Sequence, residues 1–264
     1  MKSFYHWVND HAGLCRGIVL LSMAAFIFYA ATLEHVSLLT VYFIGLIVLF
    51  IFNRFLSVAA GKVMEEPFAL CDQECDPYPL LDALRQIVAK NQNTPQHQSA
   101  QINYAQALRL VGENYKCADI LAQINIDRYP ATNIYTKFIY YNSLADVLFA
   151  LERDPEAHIW HRKAMQIYSD MPQNKLKQQL EPDVQLSAAG ALYRAGDHIT
   201  ALQKVAWIKC KGKRQLLDAA LLAAKCHIAL EEPEKAKEKL QYVADNGNKL
   251  HIAEEARVLL ETLS

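Results

Sequence analysis

The sequence predicts an all-α protein, with a two-helix transmembrane hairpin at its N-terminus and an array of helical hairpins behind it. Three observations favour this fold class. Two long uncharged runs lie in the first sixty or so residues, and the remainder shows helical periodicity with short interruptions. The chain of 264 residues also has only 9 glycines and 9 prolines, which are too few for a turn-rich β fold.

The uncharged runs cover residues 17–33 and 36–52, with Glu34 and His35 at their junction, and the second predicted span extends to about residue 56 if Arg54 reaches the membrane surface. Each run is near the lower limit of about 17 residues that can cross a hydrocarbon core as a helix. A carboxylate at mid-bilayer is costly, so the polar pair belongs at the far membrane surface. Residues 1–62 are therefore predicted to form a membrane anchor. A cleaved signal peptide, two core helices of a soluble protein, and a single span in the second run are the alternatives.

Positive charge predicts the orientation of this anchor. Lys2 and Arg16 precede the first run and Arg54 and Lys62 follow the second, whereas the connecting turn has no lysine or arginine. The positive-inside rule then places both termini and the following domain in the cytoplasm. The six scattered cysteines are read as reduced thiols, which suits that compartment. A bacterial inner membrane is the predicted location, although an organelle surface fits equally well.

Residues 63–79 are predicted as a linker, because they combine acidic residues with Pro67, Pro77 and Pro79. From Leu80 to Ser264 the periodic pattern predicts successive helices joined by short turns. A pair of small residues marks each predicted hairpin where its two helices would cross. These pairs are Ala105 with Ala118, Ala145 with Ala157, Ala189 with Ala201, and Ala224 with Ala236. The first pair carries one residue more than the others.

These units resemble the tetratricopeptide repeat (TPR) family over about residues 98–246. The matching residues in the best unit are Ala188, Ala189, Leu192, Gly196, Asp197 and Ala201. The first unit has Gly112, Tyr115, Ala118 and Pro130. The resemblance implies an α-α superhelical (solenoid) domain over residues 80–264. The charged residues on one side of the last helix, from Leu250 to Leu263, predict that it caps the array. A more distant helical repeat, or an irregular helical bundle, is the alternative.

The resemblance also implies a concave groove, lined by the first helix of each unit, that holds a protein or peptide partner. Mapped onto this chain, the groove positions are Gln106, Arg109, Asn142, Asp146, Tyr193, Arg194 and Lys225. The family's basic, Asn-rich clamp for a C-terminal carboxylate is not reproduced, because Asp146 stands where that clamp would have Asn.

The most basic stretch of the chain is a second candidate contact surface. Its cations are Lys209, Lys211, Lys213 and Arg214. Cations near a helix C-terminus favour the helix dipole, which is one interpretation. Contact with an anionic membrane leaflet or with an acidic partner is the other.

Other patterns suggest packing rather than chemistry. Cys71 and Cys75 lack a second pair of zinc ligands nearby, and they fit two linker thiols better than a metal or acylation site. His158 and His161 flank Trp160 without a carboxylate or cysteine partner at the next helical position. No phosphate-binding, dinucleotide-binding, metalloprotease or hydrolase motif occurs, so we expect no enzyme, no cofactor and no metal site. A net charge of -1 does not suggest nucleic acid as a partner.

The sequence therefore predicts a membrane-tethered scaffold or adaptor that binds a partner through its cytosolic TPR-like groove. A structural or assembly subunit of a larger membrane complex, contacting it through the transmembrane hairpin, is the alternative. A receptor or enzyme that uses a cavity between helices is a third hypothesis.

Overall fold

The computed structural model describes residues 2–32, 37–90, 95–128 and 132–263, and these contain helices and no strand. The all-α prediction is confirmed. The helices are α1 (Lys2–Asp10), α2 (Ala12–Ala31), α3 (Leu38–Gln73), α4 (Tyr78–Lys90), α5 (Pro95–Leu110), α6 (Asn114–Gln123), α7 (Ile134–Ala150), α8 (Asp154–Asp170), α9 (Lys175–Arg194), α10 (His198–Ala206), α11 (Lys213–Ala229), α12 (Pro233–Asn246) and α13 (His251–Thr262). They fall into two compact units, Met1–Phe68 and Ala69–Ser264.

The first unit contains two helices that are long and apolar enough to cross a membrane, over Ala12–Ala30 and Leu39–Gln73. Most of their large apolar side chains are exposed, unlike those of a core helix in a soluble protein. The predicted turn residues Glu34 and His35 lie outside the described residues. Membrane insertion and orientation remain predictions.

Helix α1 is a separate short helix within the segment that the sequence predicts as the membrane anchor. It packs against α3, where Val8 joins Leu56 and Ala59 in a buried cluster. The rings of Phe4 and Phe55 have centroids 6.4 Å apart. The N-terminal residues are thus part of the packed first unit.

The segment predicted as a linker is mostly helical. Helix α3 continues past Lys62 to Gln73, with Pro67 inside it, so that only residues 74–77 separate α3 from α4. A proline removes one backbone hydrogen bond, but the flanking Glu, Phe, Ala and Leu residues sustain the helix on both sides. The boundary between the two compact units lies within α3, at Phe68.

The second unit consists of helices that each pack against the next in the chain, from α4 to α13. Short turns follow α5, α7, α8, α9, α11 and α12, as the interrupted helical pattern predicts, while residues 91–94 and 129–131 lie outside the described part. Three helices begin at side-chain caps, because Asn133, Asn174 and Asp197 each accept a hydrogen bond from a backbone N–H three residues on.

The small residues predicted at the hairpin crossings are fully buried in three hairpins. In the first hairpin the partner of Ala105 differs from the prediction. Both members of the pairs Ala145 with Ala157, Ala189 with Ala201, and Ala224 with Ala236 have 0% exposure. Where the helices of the first hairpin cross, Ala105 and Cys117 are fully buried, whereas Ala118 is partly exposed. A cysteine is also small enough for two helices to cross closely. The prediction of Ala118, with its extra residue, was therefore wrong.

Helices α5, α7, α9, α11 and α13 contact one another in sequence, and α13 also contacts α5. This closed circuit differs from an open superhelix, whose two ends stay apart. Helix α13 thus does more than cover the last hairpin, since it joins the end of the unit to its beginning. Each inner helix of the circuit therefore packs against the inner helices of the hairpins on either side of it.

The entry segment of the second unit is bonded to the turn between α12 and α13. The backbone N–H of Lys249 donates to the carbonyl of Cys75 at 3.2 Å, and Asn248 Nδ2 donates to the carbonyl of Glu74 at 2.8 Å. Lys249 Nζ also pairs with Asp76 Oδ2 at 2.5 Å. Cys75 itself belongs to the buried cluster of α11, α12 and α13.

We expect Gly247→Ala to lower the free energy of unfolding by about 1–3 kcal/mol, because the new methyl has no room. A Cβ there would lie 2.7 Å from Ala253 Cβ and 2.8 Å from the Val243 carbonyl. Gly190→Ala in α9 is the matched control, since its Cβ would meet no described atom within 4 Å. It should raise that free energy by about 0.5–1 kcal/mol through helix propensity. Urea unfolding followed by circular dichroism measures both, and a shift of the same sign would contradict this packing.

Candidate functional site

A network of polar side chains joins the inner helices α5, α7 and α9. Asp146 of α7 accepts hydrogen bonds from Asn142 Nδ2 at 3.0 Å and from Ser187 Oγ at 3.3 Å. One turn away, Gln106 Nε2 of α5 donates to Ser143 Oγ at 2.9 Å. The bonds of Ser187 and Gln106 cross between helices from different hairpins, so the network depends on how the hairpins stack.

A second set of charges continues this network onto α11. Arg214 Nη1 pairs with Asp218 Oδ2 at 3.0 Å, and the same guanidinium lies 3.9 Å from Asp183 Oδ1 and 3.9 Å from Asp72 Oδ1. Gln215 Nε2 donates to Asp183 Oδ1 at 2.9 Å. We use the term inner site for both sets together. Its residues are Asp72, Gln106, Arg109, Asn142, Ser143, Asp146, Asp183, Ser187, Arg214, Gln215 and Asp218.

The inner site becomes less exposed from its rim inwards. The side chains of Asp72 and Asp183 are 48% and 38% exposed, whereas Arg214 and Asp218 are 24% and 15% exposed. Asp146 is also half-buried. Exposure thus falls from Asp72 and Asp183 to Arg214 and Asp218, and we call this partly buried group of charges the recess.

Burial raises the pKa of two carboxyl groups in this recess. The pKa of Asp146 is raised by desolvation and by the charges of Asp218 and Asp183, against the opposing charge of Arg109. The pKa of Asp218 is raised by desolvation, with Arg214 and Arg109 opposing it. A raised carboxyl pKa means that the guanidinium groups do not fully offset the cost of burying the charge. Carboxyl groups with a raised pKa are typical of functional sites.

Two further features indicate that the inner site is incomplete. The Oδ1 atom of Asn142 is buried and has no hydrogen-bond donor among the described residues, and the residue is only 8% exposed. On α9, Gly190 follows Ser187 by about one turn and Asp183 by about two turns, so the three residues lie on the same face of the helix. No described atom fills the space that its Cβ would occupy. The site thus has a free acceptor and open space.

The structure brings together four of the seven predicted groove residues. Gln106, Arg109, Asn142 and Asp146 all belong to the inner site, where Asp146 interacts with Arg109 and Asn142. Their role in binding a partner stays a prediction.

The other three predicted groove residues have different surroundings. Arg194 lies 4.0 Å from Asp154 of α8, and Lys225 Nζ pairs with Glu255 of α13 at 2.5 Å. The ring of Tyr193 packs on His198, with centroids 5.2 Å apart. They lie outside the hydrogen-bonded network of the inner site.

Sequence reasoning missed Asp183, Ser187 and Asp218 as members of the site. A signal for them exists, because Asp183 and Ser187 are four residues apart and Arg214 and Asp218 repeat that spacing on α11. The mapped positions concentrated on the last turns of the inner helices, whereas these residues belong to earlier turns.

The cations of the basic stretch lie in two different surroundings. Arg214 is held among three carboxylates of the inner site. Lys209 and Lys211, with Trp207 and Lys204, line a separate open cleft of about 620 Å³ between α9 and α10. Lys211 Nζ donates there to the carbonyl of Gln178 at 2.7 Å, and Trp207 is 85% exposed. Contact of this stretch with a membrane or an acidic partner stays a prediction.

The cysteine and histidine candidates lie in packed surroundings. Cys71 and Cys75 are buried free thiols, and burial raises the pKa of Cys75, so that neither thiol is presented for acylation. The rings of His158 and His161 pack on Phe149, with centroids 5.0 Å and 6.5 Å away. Among the described residues, no group of three or more His, Cys, Asp or Glu side chains is placed to hold a metal ion.

Comparison with protein-family models, with curated proteins and with solved structures finds no match to this chain. The fold and the site define its class by themselves. It is an all-helical protein in which two apolar helices of membrane-spanning length precede an array of helical hairpins with a charged, recessed inner site.

Proposed function

We propose that this protein is a membrane-tethered scaffold of TPR-like architecture, which binds a segment of a partner protein at the inner site. The observation that carries this proposal is the incomplete compensation of charge in the recess. Asp146 and Asp218 are desolvated at a cost to the free protein, and the Asn142 Oδ1 acceptor has no donor among the residues that the structure describes. A partner that supplied the missing groups would recover that cost on binding.

A purely structural role explains the inner site less well. An apolar core of the same shape would stabilise the hairpin stack at least as much as a buried charge network does. Charges that reduce the stability of the free chain are typical of functional positions, because such positions are kept for binding or catalysis rather than for stability. The site also lies on inner helices that contact several neighbours, which holds its side chains in place.

The two apolar helices give the proposed scaffold its location. As transmembrane spans, they would confine a bound partner to the membrane surface and raise its effective concentration there. The orientation that follows from positive charge places the hairpin array in the cytoplasm.

Site-specific photo-crosslinking in native membranes tests this function. A benzoylphenylalanine at position 190 would project into the open space of the inner face, whereas the same group at the exposed Gln166 of α8 is the matched control. We expect a discrete crosslinked partner from position 190 and none of the same mass from position 166. No adduct at position 190, or the same adducts at both positions, would rule out the inner site as the binding surface.

A role as an assembly subunit is the second candidate, favoured by the exposed apolar surface of α2 and α3. Exchange of residues 1–62 for an unrelated transmembrane hairpin separates the two. A scaffold keeps its crosslinked partner after the exchange, whereas a subunit that assembles through its spans loses incorporation into the larger complex.

A further inference from the structure

We propose that the inner site receives a guanidinium group, an arginine side chain carried by the partner segment. This inference rests on the proposed function and specifies the chemistry of the partner. The seven groove positions predicted from the sequence are mixed in charge and do not define a ligand. The structure adds the carboxylates of Asp183, Asp218 and Asp72, and these make the recess acidic.

The balance of charge in the inner site favours a cation. Within the described part of the chain, the carboxylates of Asp72, Asp146, Asp183 and Asp218 interact with only two guanidinium groups, those of Arg109 and Arg214. Lys225 pairs with Glu255 and Arg194 lies beside Asp154, whereas Lys213 at the start of α11 acts on Cys75 together with Asp72 and Asp218. When ionised, the four carboxylates outnumber the two guanidinium groups, and the inner site stays acidic with Lys213 counted as well.

The unpartnered oxygen of Asn142 shows where that cation would bind. Its Nδ2 already donates to Asp146, so the side chain is directed at the carboxylate, and its Oδ1 is a free acceptor on the same amide. A donor that reached this oxygen would also lie within the field of Asp146.

A guanidinium fits this arrangement better than an ammonium or a metal ion. The acceptors come from three helices, with Asn142 and Asp146 on α7, Asp183 on α9 and Asp218 on α11. A planar fork of five N–H donors can satisfy separated acceptors at once, whereas an ammonium is a compact point charge. A divalent cation would need closely grouped ligands, and the described residues offer no such group.

The exposure gradient gives the arginine a route into the site. Asp72 and Asp183 at the rim are the most exposed carboxylates, and Asp218 is deeper. A long, flexible side chain can therefore enter from solvent while its backbone stays outside the recess. Negative charge at the rim also attracts a cationic segment before contact.

Binding of defined peptides to the full chain tests this inference. The protein is reconstituted in phosphatidylcholine nanodiscs, whose neutral surface does not attract cationic peptides. The probes are three fluorescein-labelled repeat peptides, Gly-Ser-Arg, Gly-Ser-citrulline and Gly-Ser-Glu, and fluorescence anisotropy measures their Kd. Citrulline keeps the shape of arginine but removes its charge. We expect the arginine peptide to bind at least about tenfold more tightly than the citrulline peptide, a difference of about 1.4 kcal/mol.

Matched protein variants assign the binding to the inner site. Asp146→Asn with Asp183→Asn removes two charges from the recess while each residue keeps an acceptor oxygen. Glu234→Gln with Glu238→Gln removes two charges from α12, where these side chains are 85% and 74% exposed. The first pair should weaken binding of the arginine peptide about tenfold, and the second should leave it unchanged.

Several outcomes would overturn the inference. Equal affinity for the arginine and citrulline peptides, preference for the glutamate peptide, or equal weakening by the two variant pairs would each show that the recess does not select a guanidinium. If position 190 still crosslinks to a partner in membranes, the proposed function survives that result. If position 190 captures nothing, the proposed function itself fails, whatever the peptides show.

Discussion

Phe138→Ala should lower the free energy of unfolding by about 3–5 kcal/mol, the largest loss that we expect from a single apolar truncation in this chain. Phe138 lies on α7 and is 2% exposed. Its ring packs against the ring of Tyr168 on α8, with centroids 5.7 Å apart. Removal of the ring deletes its transfer free energy and leaves a cavity in the contact between α7 and α8. These two helices also support Asn142 and Asp146, so loss of the inner site should accompany the loss of stability.

Ile159→Ala is the control for this prediction. Ile159 lies on α8 in the same hairpin but is 54% exposed, so its truncation should change stability by no more than about 0.5 kcal/mol. Urea unfolding of the full chain in detergent micelles, followed by circular dichroism, measures both variants. Similar midpoints for the two would mean that Phe138 does not occupy the buried position described here.

Arg214→Ala should lower the free energy of unfolding by about 2–4 kcal/mol, the second largest effect. This change leaves Asp218, Asp183 and Asp72 without the guanidinium that lies 3.0 to 3.9 Å from them. The loss arises mainly from the uncompensated carboxylates that remain. Replacement of Asp218 by Asn in the same chain should therefore restore part of the lost stability, because it removes the deepest of these charges.

Arg153→Ala is the matched control on the surface. Arg153 pairs with Glu156 at 2.5 Å, but both side chains are 52% exposed, so its removal should cost only about 0.2–1 kcal/mol. High salt should reduce the effect of Arg153→Ala and leave most of the effect of Arg214→Ala, since recessed pairs are screened less. If both losses were equally sensitive to salt, Arg214 would be acting as an ordinary surface cation.

The predictions from the sequence succeeded where they depended on local periodicity. The helices, most of their turns and the buried small residues at the crossings follow from spacing and from glycine, proline and asparagine at helix ends. The first hairpin shows the limit of this reasoning, because Cys117 and Ala118 are both small. Only the packing of α5 on α6 decides which of the two is buried.

The conformation of the predicted linker also depends on its neighbours, although the boundary between the two compact units falls within it. Three prolines and several acidic residues suggested an irregular segment, yet Pro67 lies inside α3 and the helix continues to Gln73. Proline is a strong local signal, but helix-forming neighbours and the burial of Cys71 at the end of the helix outweigh it. Arg214 was similarly placed with the surface lysines, because its neighbours in sequence are cationic and its partners are distant.

The sequence by itself determined that this protein is all-helical, with two apolar helices of membrane-spanning length followed by hairpins. These properties depend on hydrophobic length and on the 3.6-residue period, both of which are local. The tertiary structure alone decided that α13 contacts α5, and that Asp72, Asp146, Asp183 and Asp218 share a recess with two arginines. Such contacts join residues many turns apart along the chain. Their free energy depends on the relative placement of whole helices, which no local pattern encodes.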